Sequence, residues 1–258
     1  MAAIRFSLLL AALLVAACSA QPDSPSPPAQ AIAGNCRQRS FEGSLFTACR
    51  YDARRQSLEL VLDDGAAPLR GFARLRDHLG PRAQRLLFAM NAGMFDDEGR
   101  AIGLYVEGGR ERHAVNLRPG PGNFHLLPNG VFMADARGRV SIVPSTRYDP
   151  GSHPRLATQS GPLLVIDGAL HPRISADGVS RYIRNGVGVA DPDTAWFVIS
   201  DEPVSFGRLA RFFRDGLRCR NALYFDGAVS SLWNPEAGRM DEGHALGPMV
   251  AIFAREGS

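Results

Sequence analysis

The chain contains no lysine: all 29 of its basic residues are arginine. A compositional bias in the coding sequence accounts for this as well as anion binding does, so the arginines identify no partner by number alone. The net charge is only +3, with no Lys/Arg-rich block and no interleaving of aromatic and basic residues. Nucleic acid is therefore not an expected partner. No apolar run reaches the length that spans a bilayer. There is no Gly-x-x-x-x-Gly-Lys-Ser/Thr loop, no Gly-x-Ser-x-Gly elbow and no His-Glu-x-x-His helix. These absences remove the nucleotide-cradling, serine-hydrolase and zinc-protease readings. The six histidines are scattered without ligand spacing, and Asp96-Asp97-Glu98-Gly99 lacks the spaced oxygens of a calcium loop. No metal and no cofactor is expected.

What is present begins at the N-terminus. Arg5, the apolar run Leu8 to Leu14 and the small residues Val15-Ala16-Ala17 form an export signal over residues 1–17. Cys18 follows, and Leu14-Val15-Ala16-Ala17-Cys18 resembles the lipobox of bacterial lipoproteins, which implies acylation of Cys18. Each buried methylene of an acyl chain contributes roughly 0.8 kcal/mol, so several chains make a stable membrane anchor. Ser19 then points to the periplasmic face of the outer membrane. Residues 18–34 contain four prolines among serines and alanines, the composition of a solvated tether. A single folded domain is expected over 35–258.

Three cysteines remain. Cys36 and Cys49 lie close in sequence and an exported protein meets an oxidising compartment, so they are expected to pair, closing a loop worth on the order of 3 kcal/mol. Cys219, between Leu217 and Leu223, then reads as a buried thiol, with pairing to either of the others left open.

Glycine and proline turns punctuate short β-rich runs through most of the domain. Ser44 to Tyr51 and Ser57 to Leu62 flank the polar turn Asp52 to Gln56 and read as a hairpin. Ile102 to Glu107 with His113 to Leu117, and Val131 to Asp135 with Val140 to Val143, read the same way. Phe72, Leu75 and Leu79 have helical spacing before Gly80-Pro81, and a second helix starts after Ser205 with Phe206, Leu209, Ala210, Phe213 and Leu217 on one face. Many strands and two or three helices, not in strict alternation, predict an α+β fold with a mixed, hairpin-rich sheet.

Polar residues collect where strands end. Asn91 and Gly93 follow the apolar strand Arg85 to Met90, and the glycine lets backbone approach a ligand. Gln159 and Ser160 stand at a turn. Arg184 and Asn185 interrupt an apolar run with costly residues to bury unpaired. The strand Ala222 to Phe225 ends in Asp226-Gly227, then Ser230-Ser231 and Trp233. Asp-Gly between apolar runs is a hairpin signal, whereas a carboxylate at a strand end beside hydroxyls suits a sugar site. Trp233 fits either stacking on a sugar or packing.

Together and in this order, Asn91-Ala-Gly93-Met-Phe95, Gln159-Ser160-Gly161-Pro162, Arg184-Asn185-Gly186-Val-Gly188 and Asn221-Ala-Leu-Tyr-Phe-Asp226-Gly227 with Ser230-Ser231 resemble the phosphodiester glycosidase family, in a bacterial branch. Many relatives read Asp-Gly-Gly where this chain has Asp226-Gly227-Ala228. The resemblance implies an exported hydrolase that cleaves the glycosidic bond of a sugar-1-phosphodiester to a free sugar and a phosphomonoester. It implies Asp226 as nucleophile or general base, Asp201 as second carboxylate, and Arg184 as the phosphate-binding fork. Asn91, Gly93, Gln159, Ser160, Asn185, Gly227, Ser230 and Ser231 would contact substrate. A non-catalytic envelope lipoprotein that binds glycan or a cell-wall phosphodiester is the competing expectation.

Overall fold

The computed structural model describes residues 34–255 together with Met1; the export signal, Cys18 and nearly all of the tether lie outside the described residues. Gly34 onward forms one compact unit.

The α+β class is observed, with strands far outnumbering helices. The strands fall into three sheets, of seven, five and five strands, rather than one. Every ladder among the described residues is antiparallel, so the sheets are not mixed.

The expected hairpin around Asp52 to Gln56 is not a hairpin. Ser44–Asp52 pairs with Cys36–Phe41 and with Thr194–Ser200 in the seven-stranded sheet, whereas Gln56–Val61 crosses over and pairs with Met249–Ala254 in another. Both runs carry core residues, Tyr51 from the first and Leu58 and Leu60 from the second. Burial against different neighbours thus overrides a local turn signal. The hairpin Gly130–Ala134 with Val140–Pro144 forms as expected, and the other forms with a shorter turn, Tyr105–Glu107 pairing with Arg110–His113, so that 114–117 lies outside the strand expected there.

Helix Phe72–Leu79 buries Phe72, Leu75 and Leu79, the residues its spacing selects, and Gly80 ends it. The second helix, Phe206–Arg211, starts where Ser205 Oγ accepts the Arg208 amide at 3.2 Å. It widens into a π turn over Phe212–Gly216. Cys36 and Cys49 face each other in register and are disulfide-bonded; Cys219 is a buried free thiol whose burial pushes its pKa up to about 12.

The three sheets meet on one aromatic junction. Phe197 lies 5.6 Å from Phe88, 5.7 Å from Phe132 and 6.4 Å from Phe225 between ring centroids. Phe197 belongs to the seven-stranded sheet, which Phe225 immediately follows, while Phe88 and Phe132 each come from one of the other two. All four rings are fully buried. Tilted and edge-on ring contacts of this kind add to the area they bury. Phe197→Ala is expected to lower stability by about 3–5 kcal/mol in urea unfolding; a loss below about 1 kcal/mol would contradict a junction on which all three sheets depend.

Candidate active site

Two of the chain's five Asp-Gly dipeptides take opposite conformations. Asp167 (φ 51°) and Gly168 (φ 86°) are both left-handed and close the tight hairpin between Leu163–Ile166 and Ala169–Leu170, as the dipeptide's preference predicts. Asp226 has φ −72° and caps a short 3-10 turn, Gly227–Val229, with its Oδ1 accepting the Ala228 amide at 3.2 Å. The second Asp-Gly is therefore a strand end and not a hairpin turn. Ala228 does not take a left-handed φ, so the missing second glycine costs this loop nothing.

Gly227 is required by contact: a Cβ there would lie 1.7 Å from the Tyr224 hydroxyl. Gly93 is required in the same way, since its Cβ would lie 2.2 Å from Thr158 Oγ1.

A buried amide network holds the strand ends together. Asn91 Nδ2 donates to the Asp226 carbonyl at 2.7 Å, and Asn91 Oδ1 accepts from Asn185 Nδ2 and from the Ser231 amide, both at 2.8 Å. Ser230 Oγ lies 3.2 Å from both Asn185 Oδ1 and the Gly227 carbonyl. Each buried amide is thus partnered, and the network joins two sheets at the point where Asp226 leaves the core. Ser231 Oγ donates to the Val229 carbonyl at 2.8 Å.

Asp226 itself is half-buried. Burial holds its carboxyl above the ordinary aspartate range, against the downward pull of the Ala228 amide. No ion pair to Asp226 is found among the described residues.

Asp201 follows the strand Thr194–Ser200. Its Oδ1 accepts from Thr47 Oγ1 at 2.8 Å, its Oδ2 accepts from Gln38 Nε2 at 3.1 Å, and Arg239 Nη1 lies 3.5 Å away. With Ser230 and Ser231 it lines a cleft of about 660 Å³ that also takes in Arg239, Asp241, Glu242 and His244. Arg239 is the arginine of this cleft; Asp241 grips it through Nε (2.9 Å) and Nη2 (2.8 Å) and raises its pKa.

Two expectations change. Arg184 is not a fork offered to a ligand. It is 2% exposed, with Nε on the Val204 carbonyl (2.9 Å), Nη1 on the Tyr224 hydroxyl (3.1 Å) and Nη2 on Ser180. Phe206 covers it at 3.7 Å. No carboxylate pairs with it among the described residues, so its charge is held by dipoles and aromatic faces. Arg184 thus supports Tyr224, directly beneath Gly227.

Gln159 is buried, and its amide is spent on backbone: Oε1 accepts from the Leu104 and Asn116 amides, and Nε2 donates to the Asn116 carbonyl. It ties two loops from a buried position. Trp233 packs in the core 6.3 Å from Phe72. Ser160 is fully buried, its hydroxyl without a protein partner.

Sequence reasoning missed Tyr224, Gln38, Thr47, Arg239 and Asp241. Tyr224 and Thr47 read as ordinary strand residues, and Gln38 lies on Cys36–Phe41, a strand not expected from the sequence. The charge-dense run Arg239-Met-Asp241-Glu242-Gly-His244 was a visible signal for the last two. Among the described residues, no three His, Cys, Asp or Glu side chains gather as a metal site.

The Asp226 carboxyl has a consequence for stability. The folded protein holds this proton to higher pH than the unfolded chain, whose value is near 3.8. The contribution is full below that value and is lost as pH rises through the raised folded value, because ionisation in the fold is disfavoured. Asp226→Asn is therefore expected to raise the melting temperature at pH 7 and to remove part of the decline expected of the wild type as pH rises from 4. Equal melting temperatures at all pH values would contradict the assigned burial.

Comparison with known proteins follows the same residues. The family model for phosphodiester glycosidase matches residues 84–243, which include Asn91, Arg184, Asn185, Asp201, Asp226, Ser230 and Asp241. The uncharacterised protein YigE of Escherichia coli K12 is 37% identical over 145 residues, 56% of this chain and 57% of that protein. The match thus spans little more than half of that relative's length. The catalytic domain of zebrafish N-acetylglucosamine-1-phosphodiester alpha-N-acetylglucosaminidase, auto-inhibited by its pro-peptide, shares the fold: TM-score 0.57 and 14% identity, covering 85% of this chain and 82% of that one. A hypothetical protein from Synechocystis has a TM-score of 0.55 at 15% identity, covering 85% of this chain and 61% of its own. The chain is a member of the phosphodiester glycosidase family.

Proposed function

We propose that this protein hydrolyses the bond between a sugar's anomeric carbon and a phosphodiester oxygen, releasing a free sugar and a phosphomonoester. The observation that carries the reading is Asp226: a half-buried carboxylate at a strand end, without an ion pair among the described residues, its backbone carbonyl accepting from Asn91 Nδ2 at 2.7 Å and its carboxyl raised by burial. A carboxyl raised by burial is a mark of acid–base or nucleophilic work.

The reaction breaks the bond from C1 to the phosphate oxygen and places a water oxygen on C1. Asp226 acts at the anomeric carbon, as nucleophile or as the base that takes a proton from the water. Asp201 is the second carboxylate, its position set by Gln38 and Thr47. A phosphate leaving group is weakly basic and places little demand on a general acid. Arg239 is the cation that lines the cleft and can meet phosphate charge. Arg184 supports the Gly227 turn from beneath, through Tyr224.

Purified residues 34–258 should hydrolyse at least one member of a panel of chromogenic sugar-1-phosphodiesters, and Asp226→Asn should lower kcat by about 10²–10⁴-fold while remaining folded. Saturable binding without product on every member would instead favour the non-catalytic glycan-binding reading.

The same proposal places the enzyme at the periplasmic face of the outer membrane, anchored through acylated Cys18, with a small glycan phosphodiester as its partner. The lipobox and the proline-rich segment after it support this. In cells, Cys18→Ser should move the protein from the membrane fraction to the soluble fraction; an unchanged distribution would count against the anchor.

A further inference from the structure

Among the described residues of the folded domain, five large apolar side chains stand exposed: Leu45, Leu117, Leu127, Val179 and Tyr182. Scattered singly, such residues are ordinary. Four of these five, however, belong to two loops, 114–129 and 171–183, and Val179 is 96% exposed. His125 Nδ1 lies 2.8 Å from the Arg118 carbonyl, which folds the first loop back so that Leu117 and Leu127 belong to its two adjoining limbs.

Both loops border the strand end that carries Asp226. The Pro128 carbonyl accepts the Leu163 amide at 3.0 Å, and the His171 amide donates to the Leu164 carbonyl at 3.1 Å. Each loop thus has a foot on the strand Leu163–Ile166, which pairs with Asn221–Tyr224, the strand that leads to Asp226. The far end of the second loop returns to the same place. Arg184 Nη2 donates to Ser180 Oγ at 3.2 Å while its Nη1 holds the Tyr224 hydroxyl, and Ser230 Oγ donates to the Ile183 carbonyl at 3.1 Å.

The free charge of the two loops has one sign. They carry Arg118, Arg173 and Arg181, all exposed and none in an ion pair among the described residues. Their one acid, Asp177, lies 3.3 Å from Arg211 of the second helix and is thereby neutralised. Apolar tips interleaved with unpaired arginines match the boundary of an anionic bilayer: aliphatic and aromatic groups enter the headgroup layer and guanidinium groups meet lipid phosphate. The tether between Cys18 and Gly34, at about 3.1 Å per proline-rich residue, reaches on the order of 50 Å, more than the width of a domain this size. An anchor of that length lets any face approach the bilayer, so the face that settles is selected by its own surface.

We infer that the face around Asp226 rests on an anionic lipid surface through Leu117, Leu127, Val179, Tyr182 and the three arginines, and that its sugar-1-phosphodiester is carried on a membrane lipid. The second part rests on the hydrolase reading of Asp226. Water places its oxygen on C1 and the bond from C1 to the phosphate oxygen breaks. One water proton ends on the anomeric hydroxyl of the free sugar and the other on the phosphomonoester, which stays on the lipid.

The test uses residues 34–258, which hold all three sheets, the disulfide and the phenylalanine junction in one compact unit and lack Cys18. This protein should sediment with vesicles of phosphatidylethanolamine and phosphatidylglycerol and only weakly with pure phosphatidylcholine, and high salt should release it. Arg118→Gln/Arg173→Gln/Arg181→Gln should weaken that binding roughly 100-fold, since each cationic side chain near an anionic surface contributes about five-fold. Leu117→Ser/Leu127→Ser/Val179→Ser should weaken it by about ten-fold or more. Tyr182 is kept in both variants because its ring packs on Arg184 at 5.3 Å. Arg54→Gln/Arg76→Gln/Arg137→Gln, three arginines on other elements, should change binding little. Equal losses from the two arginine sets would mean that net charge alone binds, and no sedimentation with either vesicle would mean that the face does not meet lipid; either result overturns the inference.

Turnover tests the second part. The Leu117/Leu127/Val179 variant should keep its rate on a water-soluble chromogenic sugar-1-phosphodiester and lose about ten-fold in kcat/KM on a sugar-1-phospholipid held in the anionic vesicles. Wild-type kcat/KM on the vesicle-borne substrate would overturn the lipid-borne assignment. Were neither substrate turned over by the wild type, the hydrolase reading of Asp226 would fail, and sedimentation would still decide whether this face meets lipid. A dimer in sedimentation velocity that the same variant dissociates would assign the face to a second copy of the chain instead.

Discussion

The contact on which the molecule depends is the meeting of Phe88, Phe132, Phe197 and Phe225. A single antiparallel sheet can bury one face and leave the other wet, but three sheets that converge on one point need large side chains to fill the space between them. Four phenylalanines from three sheets do this, and none of them has a polar group to satisfy. The site is built from their sequence neighbours. Phe225 points into the junction and the next residue, Asp226, leaves it; Phe88 lies three residues before Asn91 on its strand. The precision of the polar residues is thus inherited from the packing of the apolar ones beside them.

The site then shows how a fold keeps costly groups. Asn91 and Asn185 are buried; Asn91 spends its amide on Asn185 and on the backbone of Asp226 and Ser231, and Asn185 spends its own on Asn91 and the Ser230 hydroxyl. Arg184 is buried as a cation and is met by a carbonyl, a phenol, a serine and aromatic faces. Asp226 alone is left with one backbone donor and a carboxyl held above its usual range. A group that stability would remove and that remains at a strand end is the kind of exception that marks function.

Much of the architecture was legible in the chain. The α+β class, the helix Phe72–Leu79, the Ser205 cap and two of the hairpins follow from local periodicity and turn chemistry. Three failures share a cause. The Asp52 to Gln56 turn looked like a hairpin because the strands on either side are both amphipathic, and local pattern carries no record of which sheet a strand joins. Gln159 and Arg184 looked like ligand-binding residues because polar groups at strand ends usually face outward; here tertiary contacts turn them inward to hold loops and a phenol.

For the site, residue order in the chain pointed to Asn91, Asn185, Asp226, Ser230 and Ser231, and the structure joins these five in one network. Gln38, Thr47 and Arg239 carried no such mark as partners of Asp201, since they are separated from it by tens to more than a hundred residues and meet it only through sheet register or the approach of another sheet. The sequence by itself determined the family, the local elements and the identity of the strand-end carboxylate, because these rest on near-neighbour patterns and residue types. Which strands share a sheet, which polar groups face the cleft and what holds Asp201 were decided only by the tertiary structure, because hydrogen bonds and burial between distant segments exist only once the three sheets have closed.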